Sequence, residues 1–564
     1  MRIGIDIGGT HTDAVLIDST RLVAAAKAPT LPDNLLASIT GVLEAILAGQ
    51  DPRRVRTLNL STTLSTNAIV TGAIEPVGVL VVGGPGISPE TYRIGDHYHL
   101  LPGSLDHLGN ETLALDSEEL DRAVDACTAA GVRSFAVAGK FSPRNPAHEN
   151  TITERLKDRA EFVSTGHLVS GQLNFGRRIH TAYYNSAVWR TFRAFSAALG
   201  RSLKGFDLEA EVNILKADGG TMPLARALDT PVQSIFSGPA ASVMGILATV
   251  PADTDALMLD IGGTTTDIAL FADGQPLLER EGISIEERPT LVRAVHVESI
   301  GIGGDSQITV DNGTVRTGPQ RLGPCLAAGG STVALMDACN LLGLAEFGDT
   351  DRSRAGIDTL AAAHGLDSRE LAQAAVDAAV AAIADRIEAM VARVNAKPVY
   401  TIHEILHDRL IAPQQVLVIG GPAAVFRDPL ARRLGLPAVV PPLAGVANAV
   451  GAALTRTTSH LTLTADTSRN RVSVPMLGVY RTVKRGYTLD TAIDEARTLL
   501  AEDLERSGAA VPADQIQITQ ADAFNMVEGG YTLGANIRVV AQVQPAVIAR
   551  LDADTSTARL AGPV

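Results

Sequence analysis

An α/β fold of two related halves is predicted by three observations along the 564-residue chain. DIGGTHTDAVLI at 6–17 returns as DIGGTTTDIALF at 260–271, with eight of twelve positions identical. The copies lie too far apart for a solenoid repeat and suit two domain-sized halves. Short β-rich runs that end in turn residues alternate with helical stretches, as sheets covered by helices require.

The elements follow in chain order. Ile3 to Ile5 and Ala14 to Ile17 flank a Gly-Gly turn, which predicts a hairpin. VGVLVVGG at 77–84, RSFAVAGK at 133–140 and EVNILKADGG at 211–220 are strand-like. Between them, 116–130 is helical, with Asp116 as cap and Glu119 three residues on. The second copy repeats the hairpin between Ala256–Leu259 and Ile268–Phe271. A long amphipathic helix over 367–393 reads as structural, and QVLVIGGPAAVF at 415–426 opens with a strand. The Thr- and Ser-rich stretch 456–468 marks a boundary, followed by strand-like pieces around a helical stretch at 490–508. Three regions result: a first lobe at 1–235 with an inserted region, a second lobe at 236–455, and a small α+β domain at 456–564.

Composition narrows the function. Apolar residues are 46% and charged residues 20%, a globular balance. Aromatics at 4% argue against single-strand nucleic-acid stacking surfaces. The net charge of −14 repels phosphate backbones and anionic membranes, so neither nucleic acid nor a membrane is an expected partner. Cys127, Cys325 and Cys339 are too few and scattered for a disulfide scaffold. Without a ~20-residue apolar run, or a signal core in MRIGIDIGGT, a cytoplasmic protein is expected.

The repeated hairpins have the chemistry of phosphate loops. Gly8-Gly9 and Gly262-Gly263 let backbone approach an oxyanion without Cβ interference, so successive N–H groups converge on it. Thr10, Thr12, Thr264 and Thr265 add hydroxyl donors. Asp6 and Asp260, at the ends of their strands, are hard oxygen ligands for Mg²⁺. Two such hairpins face to face would hold a triphosphate with the metal between them. Neither a Walker-A loop nor a complete G-x-G-x-x-G is present; GIGGDS at 301–306 lacks the last glycine.

Five motifs in order then resemble the actin, sugar-kinase and heat-shock-chaperone ATPase superfamily, whose fold is two-lobed and ribonuclease H-like. Phosphate motifs lie at 6–18 and 259–271, connecting helices at SGPAASVMG (237–245) and PPLAGVANAVGAAL (441–454), and an adenosine motif at VLVIGGPAAVF (416–426). Within it the chain resembles the hydantoinase A/5-oxoprolinase family over about residues 1–455. STTLSTNAIVTG at 61–72, AGKFSPRNPAHEN at 138–150, ADGGTMPL with SGPA, and VESIGIGGDS at 297–306 carry that resemblance. It implies ATP and Mg²⁺ as cofactors. It adds His11, Gly303, Gly304, Gly420 and Gly421 to the nucleotide-binding residues, with Asp6 and Asp260 catalytic and metal-binding. His11 stands where the family usually has Phe, His296-Val297-Glu298 replaces its Asp-x-His, and Gly238 stands where chaperones carry glutamate.

The resemblance implies an ATP-dependent amidohydrolase subunit that phosphorylates the amide oxygen of a small cyclic imide or lactam, with a hydantoinase B-type subunit as partner. A ketone carboxylase subunit, a small-molecule kinase and a nucleotide-driven switch remain the alternatives. Two further signals read as bland. His403-Glu404-Ile405-Leu406-His407 is a literal H-E-x-x-H whose apolar residues suit a surface helix. His296, Glu298 and Cys325 lack ligand-pair spacing. Thr66 and Asn67 divide evenly between helix capping and substrate contact.

Overall fold

The computed structural model describes residues 1–31, 34–251, 253–396, 410–509, 511–552 and 558–561. His403 and His407, with the segment between them, lie outside the described residues.

The sequence repeat extends to the sheets. Strand Arg2–Ile7 pairs antiparallel with His11–Asp18, which pairs antiparallel with Arg21–Pro29. On its other side Arg2–Ile7 runs parallel to Thr57–Thr62, and that strand runs parallel to Glu211–Leu215. In the second half, Ala256–Ile261 pairs antiparallel with Thr266–Ala272 and parallel with Gln415–Ile419. The registers match: Asp6 faces Asp13, and Asp260 faces Asp267. Two α/β lobes on one plan are thus built around the two copies.

Each sheet is covered by helices. Leu35–Leu47 and Phe175–Gly205 bury Ile39, Leu43, Phe192 and Leu199 against Ile3, Ile5, Leu58 and Leu60 of the first sheet. Helix Ser368–Asn395 is capped by Asp367, whose carboxylate accepts from the N–H groups of Arg369 and Glu370. It buries Ala372, Val376, Ala379 and Ile383 in the second lobe's core, as the helical spacing of its apolar residues predicts.

The first lobe carries the inserted region as a parallel sheet in the order Phe162–Thr165, Ser134–Gly139, Val77–Val82, His97–Leu101. Its helix Ser117–Ala129 is capped by Asp116, which accepts from the N–H groups of Glu118 and Glu119.

The lobes meet at two crossing helices, Ser237–Thr249 and Ala447–Leu454. A Cβ on Gly245 would sit 2.2 Å from the Ala447 carbonyl oxygen, and one on Gly451 would sit 2.2 Å from that of Ala241. Backbones this close admit only glycine at the contact, which explains the small-residue composition of both stretches.

The C-terminal region is an antiparallel sheet ordered Val479–Thr482, Arg471–Val474, His460–Asp466, Tyr531–Val543, Ile516–Glu528. Helix Leu489–Arg506 lays Ala492, Ala496, Leu500 and Leu504 on it, a clean i, i+4 stripe. Two features depart from the sequence reading. Within the stretch expected as a boundary, His460–Asp466 is an inner strand, because Leu461, Leu463 and Ala465 alternate with polar residues and are buried. Arg559–Ala561 leaves this sheet and pairs parallel with Ala24–Ala26 at the edge of the first lobe. Among the described residues, no helix is long and apolar enough to cross a membrane.

Candidate active site

Both hairpins close in the same way. The Gly8 N–H donates to the His11 carbonyl at 2.9 Å, and the Gly262 N–H donates to the Thr265 carbonyl at 2.9 Å. The intervening N–H groups of Gly9, Thr10, Gly263 and Thr264 have no hydrogen-bond acceptor among the described residues. The hairpins face each other: a Cβ built on Gly263 would lie 4.0 Å from Thr10 Cγ2. Gly9, His11, Thr264 and Thr265 are exposed at the tips, and Thr10 is half-buried. Thr12 lies deeper. It is fully buried in its strand, and its hydroxyl is engaged with Thr30 Oγ1 at 2.9 Å, away from the tip.

Beneath the tips the two carboxylates share one side chain. Asn448 Nδ2, from the second connecting helix, donates to Asp6 Oδ2 at 3.2 Å and to Asp260 Oδ2 at 3.4 Å. Ser242, from the first connecting helix, donates to Asp260 Oδ2 at 2.5 Å. Asp6 is buried; among the described residues its Oδ1 meets no partner at hydrogen-bond distance, while the neighbouring Ser61 hydroxyl favours its ionised form. Burial pushes the Asp6 carboxyl up to about 7, and the nearby charges of Asp13 and Asp260 add to the rise. Burial likewise raises Asp260, against the bonds from Ser242 and Asn448. The second aspartates of the repeat differ: Asp13 is paired with Lys27 at 2.7 Å, whereas Asp267, among the described residues, accepts from the Ser299 hydroxyl alone. Burial pushes Asp267 up to about 6.

The remaining glycines hold this geometry. The Gly304 N–H donates to the Gly262 carbonyl at 3.0 Å, and the Asp305 N–H to that of Gly263 at 2.7 Å. A Cβ on Gly303 would be 2.7 Å from both of those carbonyl oxygens, so the 301–306 turn lies directly on the second hairpin. Gly420, at φ +96°, ends the strand parallel to Ala256–Ile261, and a Cβ there would lie 2.8 Å from Asp260 Oδ1. Gly421 is exposed one residue on, before helix Ala423–Leu434. His11 Nδ1 lies 3.2 Å from Thr10 Oγ1; burial and Lys27 hold its ring below the usual histidine range.

These residues fit a magnesium nucleotide. The donor set is hard oxygen, a buried carboxylate oxygen lacks a hydrogen-bond partner among the described residues, and two like charges flank one amide. Among the described residues, no group of three or more His, Cys, Asp or Glu side chains could hold a metal ion. Asp6 and Asp260 would therefore share such an ion with water and phosphate oxygens, the usual habit of magnesium.

Other candidates separate from the site or acquire structural partners. His296 bonds Glu279, and Glu298 is paired with Arg386 at 2.9 Å and with Arg393. Thr66 Oγ1 accepts from the Phe236 N–H at 3.0 Å, and Asn67 is exposed with Nδ2 3.3 Å from Thr63 Oγ1. Neither caps its helix, since the cap position of Leu64–Val70 is Thr63. Sequence reasoning missed Asn448 and Ser242. The signal available was Asn448 as the lone polar side chain of the small, apolar helix Ala447–Leu454, and Ser242 as the one polar side chain in the middle of Ser237–Thr249.

The hydantoinase/oxoprolinase family profile matches residues 178–460, and the profile of that family's N-terminal region matches 2–160. The chain belongs to the hydantoinase/oxoprolinase family. Among relatives, caprolactamase subunit alpha of Pseudomonas jessenii is 26% identical over 488 residues, 78% of this chain and 68% of that one. Acetophenone carboxylase gamma subunit of Aromatoleum aromaticum is 25% identical over 60% of this chain and 53% of its own length. The 5-oxoprolinase of Saccharomyces cerevisiae is 23% identical over 61% of this chain and only 32% of its own length. The chain thus spans from about a third to about two thirds of these relatives.

Solved structures of the same fold include nucleotide-free acetone carboxylase, at TM-score 0.69 and 18% identity over 97% of this chain and 87% of that one. The ATP-dependent caprolactamase of P. jessenii matches at TM-score 0.68 and 20% identity, over 98% and 88%. The two-lobed α/β fold expected from the repeat is therefore shared by solved family-like enzymes over nearly the whole chain.

Proposed function

We propose that this chain is the ATP-using subunit of a cyclic-amide hydrolase, transferring the γ-phosphoryl group of ATP to the amide oxygen of a lactam or cyclic imide. The observation that carries the reading is the pair of facing hairpins with their carboxylates joined through Asn448. Family membership and the caprolactamase relative support it.

The free N–H groups of Gly9, Thr10, Gly263 and Thr264 would receive phosphate oxygens from both lobes. The 301–306 turn and Gly420 keep the second hairpin and Asp260 in place. Magnesium held by Asp6 and Asp260 would supply charge neutralisation at the β- and γ-phosphates. The bond from the terminal phosphorus to the β-bridging oxygen breaks as the amide oxygen bonds to that phosphorus. Water then attacks the activated carbon and the ring C–N bond breaks, a proton of that water going to the leaving nitrogen, which leaves an acyl phosphate. A second water attacks the same carbon, and the original amide oxygen departs with phosphate.

The described residues offer no cysteine suited to ring opening. All three thiols are buried, which pushes Cys127 and Cys325 up to about 11 and Cys339 up to about 12. A second subunit of B type would complete the hydrolysis across a water-excluding interface. The caprolactamase and acetophenone carboxylase relatives, named as alpha and gamma subunits, fit that division.

Isotope transfer tests the reading. With the complete complex and a lactam labelled with ¹⁸O at its carbonyl, the released phosphate should carry the label; unlabelled phosphate with ring-opened product would refute phosphorylation of the amide oxygen. The acetophenone carboxylase relative favours a second reading, activation of a ketone. Turnover that needs bicarbonate and yields a carboxylated product would select it.

A further inference from the structure

Away from the hairpins, a cavity of about 300 Å³ lies between the inserted parallel sheet and the C-terminal sheet. That volume is at the lower end of small-ligand pockets. Four arginines line it, Arg144 from the inserted region and Arg469, Arg471 and Arg481 from the C-terminal sheet, with Asp466 as their acidic neighbour. Arg481 is paired with Glu495. Arg469 is 3.8 Å from Asp466 and donates to Asn110 Oδ1 at 3.1 Å. Asp466 is itself engaged by the N–H groups of Ser468 and Arg469. The guanidinium groups of Arg144 and Arg471 have no partner among the described residues. Two uncompensated cations in one cavity run against a chain with net charge −14.

The wall is firmly built. Arg144 and Asn145 both donate backbone N–H groups to the Phe141 carbonyl, and Asn145 Nδ2 donates to the Gly109 carbonyl at 2.9 Å. Behind them, fully buried Glu149 accepts from the Gly139 N–H at 2.6 Å and bonds His167 Nδ1 at 2.5 Å, with Arg178 at 3.6 Å. Tyr480, which also lines the cavity, stands edge-on to His167 and donates to the Ser142 carbonyl at 3.2 Å. The cavity is therefore backed by a braced, preorganised segment, 138–150, on one side and by sheet on the other.

We propose that this cavity is a binding site for a small anion, whose carboxylate or phosphate group is engaged by Arg144 and Arg471, so that occupancy ties the inserted region to the C-terminal domain. Guanidinium forks match both oxyanions, and a cavity of this size admits inorganic phosphate or a short dicarboxylate.

The test titrates the full chain with inorganic phosphate and, separately, with succinate, each up to about 10 mM, reading melting temperature and binding heat. At least one anion should bind and raise the melting temperature. Arg144→Gln and Arg471→Gln should each weaken that binding about tenfold or more while leaving magnesium-nucleotide binding unchanged. Success in the phosphate arm alone assigns a phosphate ligand, and success in the succinate arm alone a carboxylate; both sustain the proposal. No binding of either anion overturns it. So does binding that both variants retain, since the anion would then sit elsewhere. Capture of only an acidic peptide would also overturn it, marking a protein-docking face instead.

Discussion

At the residue scale, Asp6 and Asp260 have a dual character. Each is held in a place that disfavours its charge, and Asp6 Oδ1 has no hydrogen-bond partner among the described residues. Such groups serve ligands better than they serve the fold. Asp6→Asn and Asp260→Asn should therefore lower ATP turnover by about 10²-fold or more, while melting of the nucleotide-free chain stays level or rises. Loss of folding with turnover intact in the folded fraction would reverse that assignment. Glu149 is the opposite case. Burial acts to raise its carboxyl, but the bond to His167 and the charge of Arg178 outweigh burial and hold it below its ordinary 4.5. The folded state thus keeps the carboxylate ionised at lower pH than the unfolded chain does. Its stabilisation is complete above 4.5 and is lost as pH falls through the folded value. Glu149→Gln should cost on the order of 3 kcal/mol at neutral pH by leaving buried Arg178 uncompensated. Denaturation series should show the gap from wild type narrowing below pH 4.5; a pH-independent gap would contradict the ion-pair account.

Which residues were legible follows from where their chemistry is encoded. The aspartates, glycines and threonines of the hairpins announce themselves because the chain writes them twice. Thr12 looked equivalent to Thr10 in sequence, but strand alternation turns it inward to Thr30. Asn448 and Ser242 could not be assigned, because the contacts of Asn448 with both carboxylates and of Ser242 with Asp260 exist only once two helices cross.

At the element scale, the crossing of Ser237–Thr249 over Ala447–Leu454 sets the spacing of the lobes. Gly245→Ala and Gly451→Ala would each drive a methyl group into opposing backbone. Each should destabilise by about 1–3 kcal/mol and weaken nucleotide binding, since both carboxylates are held by side chains from these helices. Gly200→Ala is the contrast. It lies inside helix Phe175–Gly205 with open space around it, and should stabilise by about 0.5–1 kcal/mol. Melting curves of the three variants check both directions. Elements with their own capping aspartate, Ser117–Ala129 and Ser368–Asn395, were readable to within two residues. His460–Asp466 was not, because its threonines suggest a linker while its period of two specifies a strand. Arg559–Ala561 pairs with a strand more than five hundred residues earlier, and nothing local encodes that partner.

At the scale of the whole molecule, two lobes of common plan hold their loops face to face and are joined by helices that contact both carboxylates. Movement of one lobe on the other would change the distance between Asp6 and Asp260, so lobe closure would bring the two proposed magnesium ligands together. The chain alone should hydrolyse ATP slowly and without coupling to a lactam; efficient ring opening by the isolated chain would remove the need for a partner subunit. The most direct test of the central claim is calorimetric titration of the purified chain with a non-hydrolysable ATP analogue, with and without magnesium. One nucleotide per chain, dependent on magnesium and markedly weakened by Asp260→Asn, is the result the facing hairpins predict; no binding heat at millimolar nucleotide, or full affinity without the metal and in the variant, would contradict them.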